Sequence, residues 1–121
     1  MTNFRDLKVW QSAMQLAQAI YSLTAEFPKS EIYGLSSQIR RAAVSVPSNI
    51  AEGHARDSTK EYLRFISIAM GSLAELETQL LLSEKLSYLR PAGLQGLLEQ
   101  ADEIGRMLRG LQKTLKKKLD P

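Results

Sequence analysis

The chain has 121 residues, enough for one domain around one core, and its 44% apolar content is that of an ordinary globular protein. It has no cysteine, which excludes disulfides, thiolate metal sites and cysteine nucleophiles, and its one histidine, His54, cannot hold a metal ion alone. The formal charge of +3 is mild but unevenly placed.

No unbroken apolar run reaches the roughly 18 residues of a membrane span, and the charged start MTNFRDLKVWQ lacks the apolar segment of a signal peptide. A cytoplasmic single domain over 1–121, with no membrane and no cofactor, is therefore expected. Apolar residues recur with helical spacing throughout, which predicts helices near 6–27, 31–52, 58–88 and 91–118. Short turns between long helices make neighbours antiparallel, so the expected fold is all-α, an antiparallel up-and-down four-helix bundle.

Phe4, Leu7 and Trp10 step by three into the first helix, which continues through Ala13, Leu16, Ala17, Ile20 and Leu23. Phe27 precedes Pro28 and so disfavours helix, which sets the first boundary. Ser30 is the expected N-cap of the second helix, with Glu31 favourable in its first turn.

The second helix carries the most informative stretch, QIRRAAVSVPSNIAEG over 38–53. Leu35, Ile39, Ala42, Ala43, Val46 and Ile50 form its apolar stripe, and Gln38, Arg41, Ser45, Asn49 and Glu52 form a polar stripe beside it. Pro47 removes one backbone donor inside the run and predicts a kink. Gly53 is the expected helix terminator, which leaves His54 in a solvated loop. The polar stripe has two readings: a buried, paired network that fixes helix register, with Arg41, Asn49 and Glu52 as its members, or a surface for a ligand or partner. The absence of a nucleophile–base pair or a metal-ligand cluster beside it favours the structural reading.

Ser58-Thr59-Lys60-Glu61 is a capping box and starts the third helix. This helix is apolar on more than one side: Tyr62, Phe65, Ile66, Ala69, Leu73, Leu76 and Leu80 make the main stripe, and Ile68, Leu82 and Leu86 point elsewhere. Surplus apolar surface of this kind predicts contact with another subunit. Gly71-Ser72 predicts a close approach of a neighbouring helix, and Ser72 and Glu75 are placed to answer the polar stripe across the helix interface.

Pro91 suits the first position of the fourth helix. Its charge separates along its length, with Glu99, Asp102 and Glu103 early and Arg106, Arg109, Lys113, Lys116, Lys117 and Lys118 late. A helix dipole favours cations at that end, but this cluster exceeds what a cap needs and points to RNA, DNA or an acidic partner. No aromatic residue interleaves with the lysines, so contact with the phosphate backbone is expected rather than base reading. Arg40, Arg56, Lys60 and Arg64 around the second and third helices are expected to form a second basic patch.

Three segments, FRDLKVWQSAMQLAQAIY, FPKSEIYGLSSQIRRAAVSVPSNIAEG and STKEYLRFISIAMGSLAELETQLLLS, carry a resemblance that spans roughly residues 4 to 90. They resemble the four-helix-bundle proteins encoded in intervening sequences of bacterial 23S rRNA genes. The resemblance implies a homopentamer. The family is similar to the accessory variability proteins of diversity-generating retroelements, basic pentamers that bind a reverse transcriptase and nucleic acid. Gln38, Arg41, Ser45, Asn49, Glu52, Gly53, Ser72 and Glu75 fall at the family's signature positions, and no catalytic role comes with them. The expected function is a non-enzymatic oligomeric scaffold that binds nucleic acid or a nucleic-acid enzyme such as a reverse transcriptase. The alternatives are a nuclease-like enzyme acting on the rRNA insertion and a small-molecule-binding bundle.

Overall fold

The computed structural model describes residues 3–119. Its four long helices are α1 (Lys8–Thr24), α2 (Leu35–His54), α3 (Thr59–Lys85) and α4 (Pro91–Leu119). The backbones run side by side α1 to α2, α2 to α3, α3 to α4 and α4 back to α1, with no close backbone approach across either diagonal among the described residues. That closed ring of sequential neighbours is an up-and-down four-helix bundle. The apolar stripes meet along its axis, where Leu16, Ile20, Ile39, Ile50, Ile66, Leu76, Leu80, Ile104 and Leu108 are essentially sealed from water. Each such side chain contributes about 1.5–3 kcal/mol by leaving water.

The helix count follows the periodicity, but several boundaries differ from expectation for local reasons. The chain enters through one 3-10 turn, Phe4–Asp6, capped by Asn3 Oδ1, which accepts from the Arg5 amide at 2.9 Å. Leu7 is extended, so α1 starts only at Lys8. At the other end of α1 the Thr24 hydroxyl donates to the Ile20 carbonyl at 2.8 Å, and the amides of Glu26 and Phe27 bond three residues back, to the Leu23 and Thr24 carbonyls, which closes the helix in a tightened last turn.

Ser30 is not the cap of α2. It sits in a 3-10 turn, Lys29–Glu31, and α2 begins four residues beyond. Glu31 does the capping instead: its Oε1 accepts from the Leu35 amide at 3.1 Å, while Oε2 accepts from the Tyr88 hydroxyl at 2.8 Å. These two bonds, Leu35 first, hold the Glu31 carboxyl below its ordinary value. They also tie the α1–α2 turn to the α3–α4 turn.

α2 is continuous through Pro47. Gly53 does not end it, and no glycine takes a positive φ among the described residues. Gly53 is buried within the helix, and a Cβ there would stand 2.8 Å from Phe65 Cβ and 2.9 Å from Tyr62 Cδ1. Its missing side chain is what lets α2 and α3 close together. His54 is consequently not in a loop but in the last turn of α2, half-buried, its ring edge-on to Tyr62 at 5.9 Å. The close approach expected at Gly71 is not made among the described residues, where nothing lies within 4 Å of a Cβ placed there.

The Ser58 cap of α3 forms as expected, its hydroxyl accepting from the Glu61 amide at 3.1 Å. α3 ends at Lys85 with the Tyr88 amide bonded to the Ser83 carbonyl and the Ser87 amide to Glu84, a Schellman ending. Ser87 takes the left-handed conformation this requires, at φ 65°. By length and composition α3 is apolar enough to cross a membrane. In this fold it packs between α2 and α4.

Candidate nucleic-acid interface

Antiparallel connection decides which charges meet. Ser45 lies opposite Ser72 and Gly53 opposite Phe65, so the end of α2 lies beside the start of α3. Gly105 lies opposite Leu73, which carries the last turns of α4 down to the same end. The start of α1 is there too. Eleven cations and four carboxylates occupy this half of the bundle, while the other described half has five cations and eight carboxylates. The mild net charge conceals a bundle basic at one end and acidic at the other.

At the basic end, Arg56 follows the last turn of α2, its amide bonded to the Gly53 carbonyl at 3.1 Å. Its guanidinium stands 4.8 Å from the centre of the buried Phe65 ring, and that of Arg64 stands 5.9 Å from the same ring. The aromatic face draws both cations to one place while leaving their polar edges in water. Lys60 is exposed one turn before Arg64. Across the end, Lys113, Lys116, Lys117 and Lys118 are all exposed around buried Leu115. Arg5 and Lys8 add two cations to this end beyond those expected there.

Arg40 does not join Arg56, Lys60 and Arg64. It lies sixteen residues before Arg56, near the acidic end, and is committed to α1. Its Nε donates to Thr24 Oγ1 at 2.7 Å and its guanidinium covers the Tyr21 ring at 4.6 Å. Arg109 also differs from the lysines beyond it. Its Nη1 would be 3.3 Å from a Cβ at Gly105, so the side chain folds back toward the acidic half. There it borders a cleft with Glu77 and Asp102. Burial and the neighbouring Asp102 raise the Glu77 pKa, and Arg109 partly opposes them. Arg106 is exposed at the midpoint of α4.

The polar stripe of α2 is hydrogen-bonded in its middle and open at its ends. Ser45 and Ser72 share a 2.8 Å hydroxyl–hydroxyl bond across the α2–α3 interface. Asn49 Nδ2 donates to the Ser45 carbonyl at 2.8 Å and to its hydroxyl at 2.9 Å. Gln38, Arg41, Glu52 and Glu75 are exposed, so Arg41 and Glu52 are not buried members of a sealed network. Gln38, Arg41, Ser45 and Glu75 line a cleft of about 370 Å³. Glu75 Oε2 accepts from Gln79 Nε2 at 3.3 Å, while the buried Gln79 Oε1 has no partner among the described residues. Among the described residues, no three side chains of His, Cys, Asp or Glu converge as metal ligands.

A family model described as the 23S rRNA-intervening sequence protein matches residues 5–110, which takes in α1 to α3 and most of α4 and stops short of Lys113. Among solved structures, a protein of unknown function from the S23 ribosomal protein family of Bacteroides thetaiotaomicron superposes with a TM-score of 0.81. The two are 23% identical, and the alignment covers 87% of this chain and 98% of that one, a likeness of fold. No curated protein matches the chain.

Proposed function

The chain belongs to the 23S rRNA-intervening sequence protein family, and we propose that it works as a non-enzymatic homo-oligomeric scaffold that binds nucleic-acid backbone with its basic end. The observation that carries this reading is the convergence of α1, α2, α3 and α4 cations at one end of the bundle, against a surplus of carboxylates at the other. Clustered lysines and arginines displace counterions from phosphates and give affinity without base recognition. Arg56 and Arg64, stacked on Phe65, lie within the family match, whereas the lysines from Lys113 onward lie beyond it.

Oligomerisation is supported by the exposed apolar side chains on α1, α2 and α3, among them Met14, Val44, Ile68 and Leu82. The family resemblance gives five as the number of copies. Several weak basic ends held together bind a polyanion with avidity that one copy lacks. The packing of α3 between α2 and α4 supports a core helix rather than a membrane anchor.

The test is a low-salt titration of fluorescent single-stranded RNA and duplex DNA into the protein, with mass measured by light scattering in the same buffer. Binding of both polymers with little sequence preference by a multimeric species is the expected result. No binding at low salt would refute it and move the function to a protein partner such as a reverse transcriptase.

A further inference from the structure

Charge is distributed unequally over the four helices. No charged residue occurs from Val9 to Ala25 in α1, from Ala42 to Ala51 in α2 or from Phe65 to Ala74 in α3, while α4 is charged from Glu99 to Lys118. Two apolar features stand out, the first wholly within the uncharged belt and the second running from the belt at Ile68 to beyond it at Leu82 and Leu86. One is a groove of about 570 Å³ between α1 and α2, walled by Trp10, Met14, Tyr21, Val44 and Pro47. The other is a ridge on α3, where Ile68, Leu82 and Leu86 are 40–46% exposed and Gly71 leaves the backbone open to close approach. Depletion of charge around aromatic and aliphatic side chains marks the centre of a protein interface.

We propose that the α3 ridge of one copy seats in the α1/α2 groove of the next, joining copies head to tail into a closed ring. The proposal rests on the homo-oligomer reading above and names the surfaces that make it.

The match in level along the bundle supports a second copy as the occupant. Neighbours related by a rotation axis parallel to the bundle stand at equal height. Because Ser72 faces Ser45 and Phe65 faces Gly53, Glu75 on the ridge is level with Arg41, and Arg64 is level with Glu52. Each ridge charge therefore meets its opposite beside the neighbour's groove. Arg40 bonds to Thr24, which sets the level of α1 against α2 and brings Ile68 level with Met14. Leu82 comes level with the turn that exposes Ile32 and Tyr33, the latter 94% exposed. At these four levels apolar meets apolar and charge meets opposite charge, and the open ends of the polar stripe acquire partners.

The direction of the two faces closes the ring. In a four-helix section the groove and the ridge point roughly 90–120° apart, so each added copy turns by about 60–90° and the ring closes after four to six copies. α2 then lines the inside, the charged α4 faces outward, and every basic end lies on the same rim.

The absence of cysteine makes the test direct. Met14→Cys and Ile68→Cys are made singly and together, and each protein is treated with a short bifunctional thiol reagent. The double variant should give a covalent ladder that stops at the mass found by light scattering, while each single variant stays uncross-linked. Self-linked dimers of the Met14→Cys variant would overturn the proposal in favour of a face-to-face contact. An oligomeric mass without a ladder would overturn the assignment of surfaces and leave the oligomer standing. A monomeric mass would remove both. Ile68→Arg, with helicity by circular dichroism as the folding control, should lose the high-mass species, and retention of full mass would count against the ridge.

Discussion

Substitution of Gly53 by alanine tests the packing argument most sharply, because helix propensity and packing pull in opposite directions. Alanine is favoured over glycine inside a helix by about 1 kcal/mol. At Gly53 the new methyl would stand 2.8 Å from Phe65 Cβ, 2.9 Å from Tyr62 Cδ1 and 3.3 Å from the Tyr62 carbonyl oxygen. Phe65 Cβ is fixed to its backbone and cannot swing away, so α2 and α3 must separate. Overpacking of this kind costs about 1–3 kcal/mol, and a contact this close belongs at the upper end. The net effect is a loss of about 1–2 kcal/mol, which lowers Tm by roughly 3–10 °C for a chain of this size. Gly110 is the internal control: it is exposed on α4 with nothing within 4 Å of a built Cβ, so Gly110→Ala should gain up to about 1 kcal/mol. Both are read by thermal melts in circular dichroism at one fixed protomer concentration, since assembly makes Tm concentration-dependent. A Gly53→Ala protein as stable as Gly110→Ala would refute the close approach of α2 to α3.

Three further outcomes follow from the same geometry. Ser87→Gly relieves a non-glycine residue at φ 65° and should raise stability by about 0.5–1 kcal/mol in urea melts, while Ser87→Val should lower it. Asn49→Ala removes both bonds to Ser45 and should cost about 1–2 kcal/mol, whereas Glu52→Ala, an exposed change, should alter the fold's stability by no more than about 0.5 kcal/mol and act on assembly instead. Glu77, whose pKa is raised by burial and by Asp102, favours the folded state when protonated, so its contribution is full below its unfolded pKa and is lost as pH rises through the folded value. Glu77→Gln should therefore raise Tm modestly at neutral pH, with the gain vanishing in acid as the wild-type carboxyl takes up its proton.

The helix count, the Ser58 cap and the core stripes were legible in the sequence because each depends on residues within a few positions of one another. What was lost depended on what faces a residue. Gly53 and Gly71 exchanged roles: the expected terminator is the contact point, and the expected contact point is open within the chain. Periodicity assigns a glycine to a face but not to a neighbour. The α1–α2 turn is not legible locally because its cap is Glu31, oriented by Tyr88 from a distant turn, and no local pattern announces that pairing. Arg40 and Arg56 are close in sequence, yet the sixteen residues from one to the other, nearly all of them in α2, place about 24 Å between them. The basic end itself follows from antiparallel order. Once α2 and α4 are known to run opposite to α1 and α3, Arg5, Lys8, Arg56, Lys60, Arg64 and the α4 lysines must gather at one end.

The central claim is that binding follows this end and not net charge. The salt dependence of RNA affinity tests it with three proteins: wild type, a basic-end variant with Lys113, Lys116, Lys117 and Lys118 changed to Gln, and an opposite-end variant with Lys29, Lys85 and Arg90 changed to Gln. Each lost phosphate contact should reduce the log–log slope on single-stranded RNA by about 0.7. The account predicts a flattened slope and weaker binding for the basic-end variant alone, with helicity and mass unchanged in both variants. Equal flattening in the two variants would mean that overall charge, and not the convergence of four helix ends, governs binding, and would contradict the account.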